Sequence, residues 1–467
     1  MGKLLLIIHY ICCAKIKRFQ ISMKVLKFGG TSVGSPTNMR SVARLINTPE
    51  PKIVVLSAMS GTTNKLVEIS AHLYQHKKDE ALALTDALHQ TYKQVIDELY
   101  IDNKYKQKAL DLVQSHFEFI KSLAVDSFST HEERGILAQG ELLSTALFQF
   151  FLEENAIPSV LLPALNFMRI DENEEPDLAL ISEQLKKDLA AFPDTRLFIT
   201  QGYICRNVFG EIDNLKRGGS DYSASLIGAA IDAQEIQIWT DIDGMHHNDP
   251  RIVKYTYPIA ELSFDEAAEL AYFGAKILHP SSVLPAKLKN IPVRLLNTMQ
   301  PEAKGTTISS RTNGSQIKAV AAKDGIVAIN IRSSRMLLAY GFLRRIFEVF
   351  EEYKTSIDMI TTSEVAVSLT IDNTKYLREI LAELKEFGTV EVDEHQSIIC
   401  LVGDSIEEKA GTVLRIFESL QDIPLRMISY GGSKNNITLL VNTDNKNRAL
   451  IALNEGVFSK KEQPTHA

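Results

Sequence analysis

The chain reads as an α/β protein: one large domain built on a mainly parallel sheet between helices, followed by two small α+β modules. Three observations predict this. Strand-like runs alternate with amphipathic stretches from Lys24 to about residue 310, the order that a parallel sheet with helical crossovers requires. After "TMQPEAKGTTISSRTNGS" the units shorten to strand, helix and strand. Those short units then repeat, since Leu343-Arg344-Arg345-Ile346-Phe347-Glu348 corresponds to Leu414-Arg415-Ile416-Phe417-Glu418, as in a duplicated module.

The elements follow in order. Residues 1–22, "MGKLLLIIHYICCAKIKRFQIS", hold an apolar run from Leu4 to Cys13 behind Lys3. It resembles a short signal-peptide core without a clear small-residue cleavage site, and it is too short to span a bilayer. We read it as an upstream extension, with Met23 beginning the fold. "KVLKF" and "KIVVLSA" are the first strands, and residues 64–127, poor in breakers and rich in Lys, Gln, Leu and Ala, form a helical subdomain. "SVLLPA", "RLFITQGYI", "IQIWTDI" and "IPVRLLN" supply further strands. The first module holds "GIVAINI", the helix "GFLRRIFEVFEEYKT" and "EVAVSLTID"; Phe342, Ile346, Val349 and Phe350 recur at helical spacing and should face a sheet. The second repeats the plan in "SIICLVGD", "AGTVLRIFESL", "LRMISY" and "NITLLVN". The expected domains are therefore 23–310, 311–390 and 391–467, with strands open to exchange between the last two.

Composition narrows the function. With 45% hydrophobic and 23% charged residues and a net charge of -7, the chain suits neither a nucleic-acid surface nor a membrane span. A small anionic substrate would need a local basic site. The cysteines, Cys12, Cys13, Cys205 and Cys400, lack CxxC spacing; they fit packing roles in a reduced, cytoplasmic setting better than disulfides or zinc.

Several strands end in small or hydroxyl residues, where open α/β sheets bind ligands. In "KVLKFGGTSVGS", Lys27 stands just before Gly29, Gly30, Thr31 and Ser32. It is either a solvated strand end or a charge aimed at an anion. After "KIVVL" come Ser57, Ala58, Ser60, Gly61, Thr62 and Thr63. Both turns admit an oxyanion to backbone N–H groups, or are ordinary strand-to-helix turns. Neither matches GxxxxGK[ST] or GxGxxG.

In "LKRGGSDYSASLIGAAI", Arg217 precedes two glycines, Ser220 reads as an N-cap, and Asp221 enters the first turn. A helix N-terminus favours an anion, although Asp221 could merely complement the dipole. Arg217 and Asp221 together offer a fork for a carboxylate and a partner for an ammonium group. In "IWTDIDGMHHNDPR", Asp241, Asp243 and Asp249 could hold hydrated magnesium or ribose hydroxyls, and Arg251 a phosphate; turn chemistry is the alternative. His246 and His247 are adjacent and diverge, which disfavours zinc. Lys276 in "ELAYFGAKILHP" either approaches a phosphate or complements a helix end. Glu141, Ser144 and Thr145 in "RGILAQGELLSTALF" form a polar stripe of the kind that usually faces solvent. With no other charge between Arg134 and Glu153, Glu141 is also a ligand candidate.

Taken together, "KFGGTSV", "VVLSAMSGTTN", "GELLSTALF", "RGGSDYSASL", "TDIDGMHHNDPR" and "GAKILHP" resemble aspartokinase, in that order and across nearly the whole chain after Met23. The final third resembles paired ACT modules, and "GFLRRIFEVFEEYKTSIDMITTSEVAVSLTID" looks most like the lysine-sensitive, monofunctional type. No GxGxxG unit follows these modules, so a fused homoserine dehydrogenase is not expected. The resemblance implies the amino acid kinase fold followed by two ferredoxin-like ACT modules, and phosphorylation of the L-aspartate side chain by ATP with Mg2+ to give 4-phospho-L-aspartate.

By matching position, Lys27, Gly29 and Gly30 would surround the transferring phosphoryl group with Ser57 nearby. Thr63, Glu141, Arg217 and Ser220 would bind aspartate, Glu141 through the ammonium and Arg217 through the α-carboxylate. Asp221 would organise the site. Thr240, Asp241, His246, Arg251, Lys276 and Ile277 would hold the nucleotide, His246 standing where relatives often carry tyrosine. Met336, Phe342, Leu343, Ile357, Asp358, Ser363 and Glu364 would form an effector site, with L-lysine as first choice and threonine as the alternative; Ala339 replaces a serine of the lysine-sensitive pattern. ACT pairing implies a homodimer or a dimer of dimers.

The chemistry is consistent with this. A carboxylate with a reference pKa of about 3.9 is already ionised at neutral pH and needs no general base. Anion repulsion is the obstacle, and one cation about 4 Å away supplies on the order of 4 kcal/mol of attraction at an effective dielectric near 20. Two alternatives compete: another amino acid kinase acting on glutamate, acetylglutamate or a nucleotide monophosphate, and a non-catalytic amino-acid sensor.

Overall fold

The computed structural model describes residues 23–215, 218–274, 278–311, 314, 317–336, 340–408 and 410–458. The N-terminal extension, Arg217, Lys276, Ile277 and Ala339 lie outside the described residues. The chain forms two compact units, the first comprising residues up to Asp243 with Ser281–Lys304, the second Gly244–Pro280 with the residues from Gly305 onward.

The first unit opens with β1 (Lys24–Phe28), α1 (Pro36–Ile46) and β2 (Lys52–Leu56). Three helices follow without an intervening strand: α2 (Thr62–Tyr74), α3 (Lys78–Leu99) and α4 (Asn103–Ser122), the expected helical subdomain. Next come α5 (Thr130–Glu154), β3 (Val160–Leu161), α6 (Ala164–Phe167), α7 (Leu178–Ala190), β4 (Leu197–Gln201) and the hairpin β5 (Ile204–Arg206) and β6 (Ile212–Asn214). The chain then runs through α8 (Gly219–Ala230) and β7 (Glu235–Thr240). It contributes β8 (Glu261–Ser263) and α9 (Phe264–Tyr272) to the second unit, then α10 (Pro280–Leu288) and β9 (Val293–Asn297) to the first.

The strands of the first unit lie in the order β3-β4-β2-β1-β7-β9, and each neighbouring pair is parallel. Central strands covered on both faces must be apolar throughout, and β2 is buried at every position. All carboxyl ends therefore point one way, with β1 between β2 and β7 where the strand order reverses. That is where a ligand crevice forms in such sheets.

Helix α5 is the one described helix long and apolar enough to cross a membrane, but 89% of its most apolar window is buried inside the protein. Its start is fixed by a capping box between Ser129 and Glu132. It packs into the core with Leu66, Tyr92 and Phe117 of the neighbouring helices.

The second unit adds β10 (Thr306–Ser309), parallel to β8. It continues with β11 (Ala319–Arg332), α11 (Phe342–Glu352), β12 (Ile360–Thr362), β13 (Ala366–Ile371), α12 (Leu377–Leu384), β14 (Thr389–Val402), α13 (Thr412–Ser419), β15 (Met427–Tyr430), β16 (Asn436–Asn442) and α14 (Thr443–Leu453). One antiparallel sheet, ordered β12-β13-β11-β14-β16-β15, runs through both modules. The expected boundary at 390/391 falls inside β14, which pairs along its length with β11. Each module keeps its own core. Phe342, Ile346, Val349 and Phe350 face the sheet in the first, as their spacing predicts, and Ile416, Leu439 and Leu450 fill the second.

Candidate active site

Lys27 is the penultimate residue of β1, just before the glycines, in register with Val55 of β2 and Ile238 of β7. Its ammonium lies 2.7 Å from Asp221 Oδ1, and the two side chains are only 12% and 16% exposed. Of the two readings of this lysine, the solvated strand end is excluded. A Cβ placed on Gly29 would lie 3.5 Å from Lys27 Nζ, and one on Gly30 would meet the Ala58 carbonyl at 3.0 Å. Gly30 thus lets the two strand-end turns approach, whereas a methyl at Gly29 would make only ordinary contact with the ammonium.

Glu141 is not on a solvent-facing stripe. Its side chain is 3% exposed, and Ser144 and Thr145 are fully buried, because α5 lies with its small-residue face against the turn after β2. Gly140 makes that approach possible: a Cβ there would sit 2.9 Å from Ala58 Cβ. The Ala58 N–H donates to Glu141 Oε1 at 3.1 Å, whereas among the described residues Oε2 has no hydrogen-bond partner. Burial pushes the Glu141 carboxyl up to about 7, against the opposing pull of the Ala58 N–H and of Lys27. A buried carboxylate with one oxygen unmet among the described residues is under-compensated even with Lys27 nearby, and a substrate ammonium group would complete it.

The α8 N-terminus corrects one expectation. Ser220 is not the N-cap: Gly218, with φ 73°, caps the helix without any side-chain bond, and Gly219 follows at φ 47°. Two consecutive left-handed glycines turn the chain into the helix before Ser220 is reached. Ser220 is instead buried and receives a hydrogen bond from Ser57 Oγ at 2.9 Å. The Ser57 carbonyl in turn accepts a hydrogen bond from Ser144 Oγ at 2.8 Å. Ser57, Glu141, Ser220, Asp221 and Lys27 are therefore joined at the carboxyl ends of β1 and β2, with half-buried Thr63 in the first turn of α2. Sequence reasoning missed Gly202 and Tyr203. A Cβ on Gly202 would overlap Ser220 Cβ at 2.3 Å, and Tyr203, at φ 66°, donates its N–H to Ser223 Oγ at 2.8 Å. The Gly-Tyr step after a strand was the available signal.

The nucleotide expectations divide between the units. Thr240 closes β7 and donates to Asp241 Oδ1 at 3.1 Å. In the second unit, His246 Nδ1 contacts Thr256 Oγ1 at 2.7 Å. Arg251 is 82% exposed and binds Asp249 through Nε and Nη2 at 2.9 and 2.7 Å. His247 diverges from His246, as expected of neighbours. It is buried, stacks on Tyr257 at 3.9 Å and meets Asn454 Oδ1 at 2.9 Å. Among the described residues no group of His, Cys, Asp or Glu gathers as a metal cage.

Of the effector expectations, Phe342 is buried in the module core and Leu343 is 37% exposed. Met336 ends a 3-10 turn, and Ile357 is half-buried. Ser363 and Glu364 are exposed, and the Ser363 N–H donates to the Ala366 carbonyl at 2.8 Å. The Asp358 side chain is fully enclosed, 3.1 Å from Lys323 Nζ. Tyr272 Oη also donates to it, at 2.9 Å.

With its parallel sheet, buried Lys–Asp pair and unmet carboxylate at the strand ends, the chain falls in the amino acid kinase class. The amino acid kinase family model matches residues 22–297, and an ACT domain model matches residues 399–457. The chain is 33% identical over 447 residues to lysine-sensitive aspartokinase 3 of Escherichia coli K12, covering 93% of this chain and 99% of that enzyme. Its structure superimposes on E. coli aspartokinase III in complex with aspartate and ADP (R-state), at a TM-score of 0.81 and 32% identity over 93% of this chain and 100% of that one. The same enzyme in complex with lysine and aspartate (T-state) matches at 0.79 and 32% over 94% and 100%. The chain belongs to the aspartokinase family: it is an aspartate kinase, transferring a phosphoryl group from ATP to the side-chain carboxylate of aspartate.

Proposed function

We propose that the residues joined at the carboxyl ends of β1 and β2 carry the transfer, with Lys27 neutralising the phosphoryl group in transit. The observation that carries this reading is the 2.7 Å ion pair between Lys27 and Asp221. Asp221 holds the ammonium at the strand end, and Gly29 and Gly30 admit the phosphoryl group to the backbone. Glu141 takes the substrate ammonium on its unmet oxygen, Arg217 the α-carboxylate, and Thr63 and Ser220 complete the aspartate contacts. Thr240 and Asp241 hold the nucleotide with Ser57. The remaining nucleotide residues, His246, Arg251, Lys276 and Ile277, rest on the family resemblance. Mg2+ would arrive with ATP, held chiefly by phosphate oxygens, the usual habit of this ion in kinases.

L-lysine is the proposed effector, bound around Asp358 and Glu364 with Met336, Phe342, Leu343, Ile357 and Ser363, in a cytoplasmic enzyme that assembles as a homodimer or a dimer of dimers through its ACT modules. The test is coupled ATP turnover with L-aspartate and with L-glutamate, each with and without L-lysine. Aspartate should be used far faster; equal rates would remove the substrate assignment, and ATP binding without transfer would favour an amino-acid sensor. Lys27→Ala should depress kcat far more than it raises the aspartate KM; the reverse would return Lys27 to ground-state binding.

A further inference from the structure

The segment from which His246 and Arg251 are proposed to reach ATP, between β7 and β8, is a loop without a helix or strand of its own. It is drawn together by an isolated bridge between His246 and Pro258 and by the Ile259 N–H, which donates to the Met245 carbonyl at 2.7 Å. A loop places a ligand contact only as well as the loop itself is held. Here the hold comes from the last helix of the second unit. His247 and Asn248 are 1% and 3% exposed, although both are polar. Asn248 Nδ2 donates to the Leu450 carbonyl of α14 at 3.0 Å and lies 3.4 Å from Oδ1 of Asn454, the residue that ends this helix. His247 Nε2 meets the same Oδ1 at 2.9 Å.

The ring proton of His247 is fixed from both sides. Its imidazole stacks on Tyr257 at 3.9 Å and meets the edge of Phe458 at 4.9 Å. The Tyr257 N–H donates to Nδ1 at 3.1 Å, which makes Nδ1 an acceptor and puts the proton on Nε2. Nε2 therefore donates to Asn454. Burial holds the imidazole below its ordinary range, in the neutral form that this arrangement requires. The anchorage then passes along the loop: Asn248 Oδ1 accepts the Asp249 N–H at 2.8 Å, and the Asp249 carboxylate holds the Arg251 guanidinium through Nε and Nη2. Ile252, next in the chain, packs against the core of the second module.

We propose that Asn454 is a positioning residue for nucleotide binding: its Oδ1, shared by His247 and Asn248, fixes the loop from which His246 and Arg251 reach ATP. Asn454 acts only through the two residues that stand between those contacts and the end of α14. Without its oxygen, two buried donors lose a common acceptor. The loss falls on ATP rather than on aspartate, whose proposed contacts stand at the strand ends of the first unit. The proposal rests on the nucleotide reading of His246 and Arg251 above.

The test uses the full-length enzyme with ATP and L-aspartate. Asn454→Ala should raise the ATP KM about tenfold, the scale of a buried donor left unmet, with kcat and the aspartate KM at saturating ATP within about twofold of wild type. Asn454→Asp keeps the acceptor and should restore the wild-type ATP KM. His247→Phe keeps a ring against Tyr257 but lacks the Nε2–H, so it should also raise the ATP KM. The double variant His247→Phe/Asn454→Ala should bind ATP no worse than the weaker single variant, because both changes break one link. His247→Phe also carries the test if Asn454→Ala fails to fold. An ATP KM unchanged in these variants, or an aspartate KM that rises in parallel with it, overturns the positioning role. Arg251→Ala and His246→Ala separate that failure from failure of the nucleotide reading. If neither raises the ATP KM, the nucleotide reading falls and the proposal with it; if either does while Asn454→Ala and His247→Phe do not, the positioning role alone falls.

Discussion

Replacing Glu141 by glutamine should stabilise the substrate-free protein at alkaline pH while crippling aspartate binding. Burial raises the folded carboxyl to about 7 from an ordinary 4.5, and each unit of difference is worth about 1.36 kcal/mol, so burying the charged form costs about 3 kcal/mol. The sign follows from proton counting. Between pH 4.5 and about 7 the unfolded chain has released this proton and the folded chain retains it, so stability falls as pH rises and levels off above about 7. Glutamine removes that slope. It can keep accepting from the Ala58 N–H, but its amide NH2 has no evident acceptor, which costs a pH-independent 1–3 kcal/mol or so. The diagnostic is therefore the growth of the difference between mutant and wild type from pH 5 to pH 8, not its value at one pH.

Trp239 makes this measurable. It is the chain's one tryptophan, 8% exposed on β7 and stacked on Phe28 of β1 at 5.6 Å, so its fluorescence reports unfolding of the first unit. Urea midpoints of wild type and Glu141→Gln at half-unit pH steps should diverge by about 3 kcal/mol, equivalent to roughly 5–10 °C in Tm. The aspartate KM of wild type should fall as pH rises toward about 7 and then level, because the ammonium binds the ionised form; that of the mutant should be high and flat. Parallel stability curves across the whole range would refute the assignment of a costly buried charge to Glu141.

Asp221→Asn should lower kcat by about 10²–10³-fold, the scale of one preorganised charge contact, because Lys27 at 2.7 Å loses its anchor; steady-state kinetics showing only a raised KM would contradict this. Gly140→Ala should destabilise the first unit by about 1–3 kcal/mol in Trp239 unfolding and raise the aspartate KM, since the new methyl meets Ala58 at 2.9 Å and displaces the N–H that Glu141 uses. In the second unit, Lys318 and Glu266 pair at 2.7 Å with 3% and 0% exposure. Lys318→Met should cost about 3–5 kcal/mol by stranding a buried charge, read by hydrogen exchange across residues 264–272, and adding Glu266→Gln should recover most of it.

The sheet and the lysine at its end were legible because their signals are local. Strand runs ending in glycine and hydroxyl residues mark the carboxyl ends of a parallel sheet, and β1, β2, β4, β7 and β9 stand where those runs stand. Glu141 was harder. Its stripe on α5 has the spacing of a solvent face, and only the close approach of Gly140 to Ala58 turns it inward. Ser220 was misplaced because a serine before a helical run resembles a cap whenever the φ values of the preceding glycines are unknown. Lys323 and Tyr272 carried no signal, and Asp358 was marked by the family resemblance alone, the pairs that meet being separated by 35 and 86 positions. Local pattern finds what one strand and its turn do; it is silent on which buried charges confront one another.

Those confrontations decide how the site is prepared. The two acidic groups beside Lys27 sit in opposite environments: Asp221 has its cation at 2.7 Å, whereas Glu141 has a single backbone donor and one unmet oxygen. The first arrangement fixes a charge in position before substrate arrives, and pre-positioned charge acts on a transition state without reorganisation. The second leaves a carboxylate under-compensated, and in the proposed reading the aspartate ammonium completes it, so that substrate binding would relieve a cost carried by the free protein. Aspartate and glutamate share that ammonium and differ by one methylene, so Glu141 cannot discriminate between them. Discrimination must instead come from the reach of the side-chain carboxylate toward Lys27, which fixes the distance between the two ends of the substrate and makes glutamate fail in kcat more than in KM.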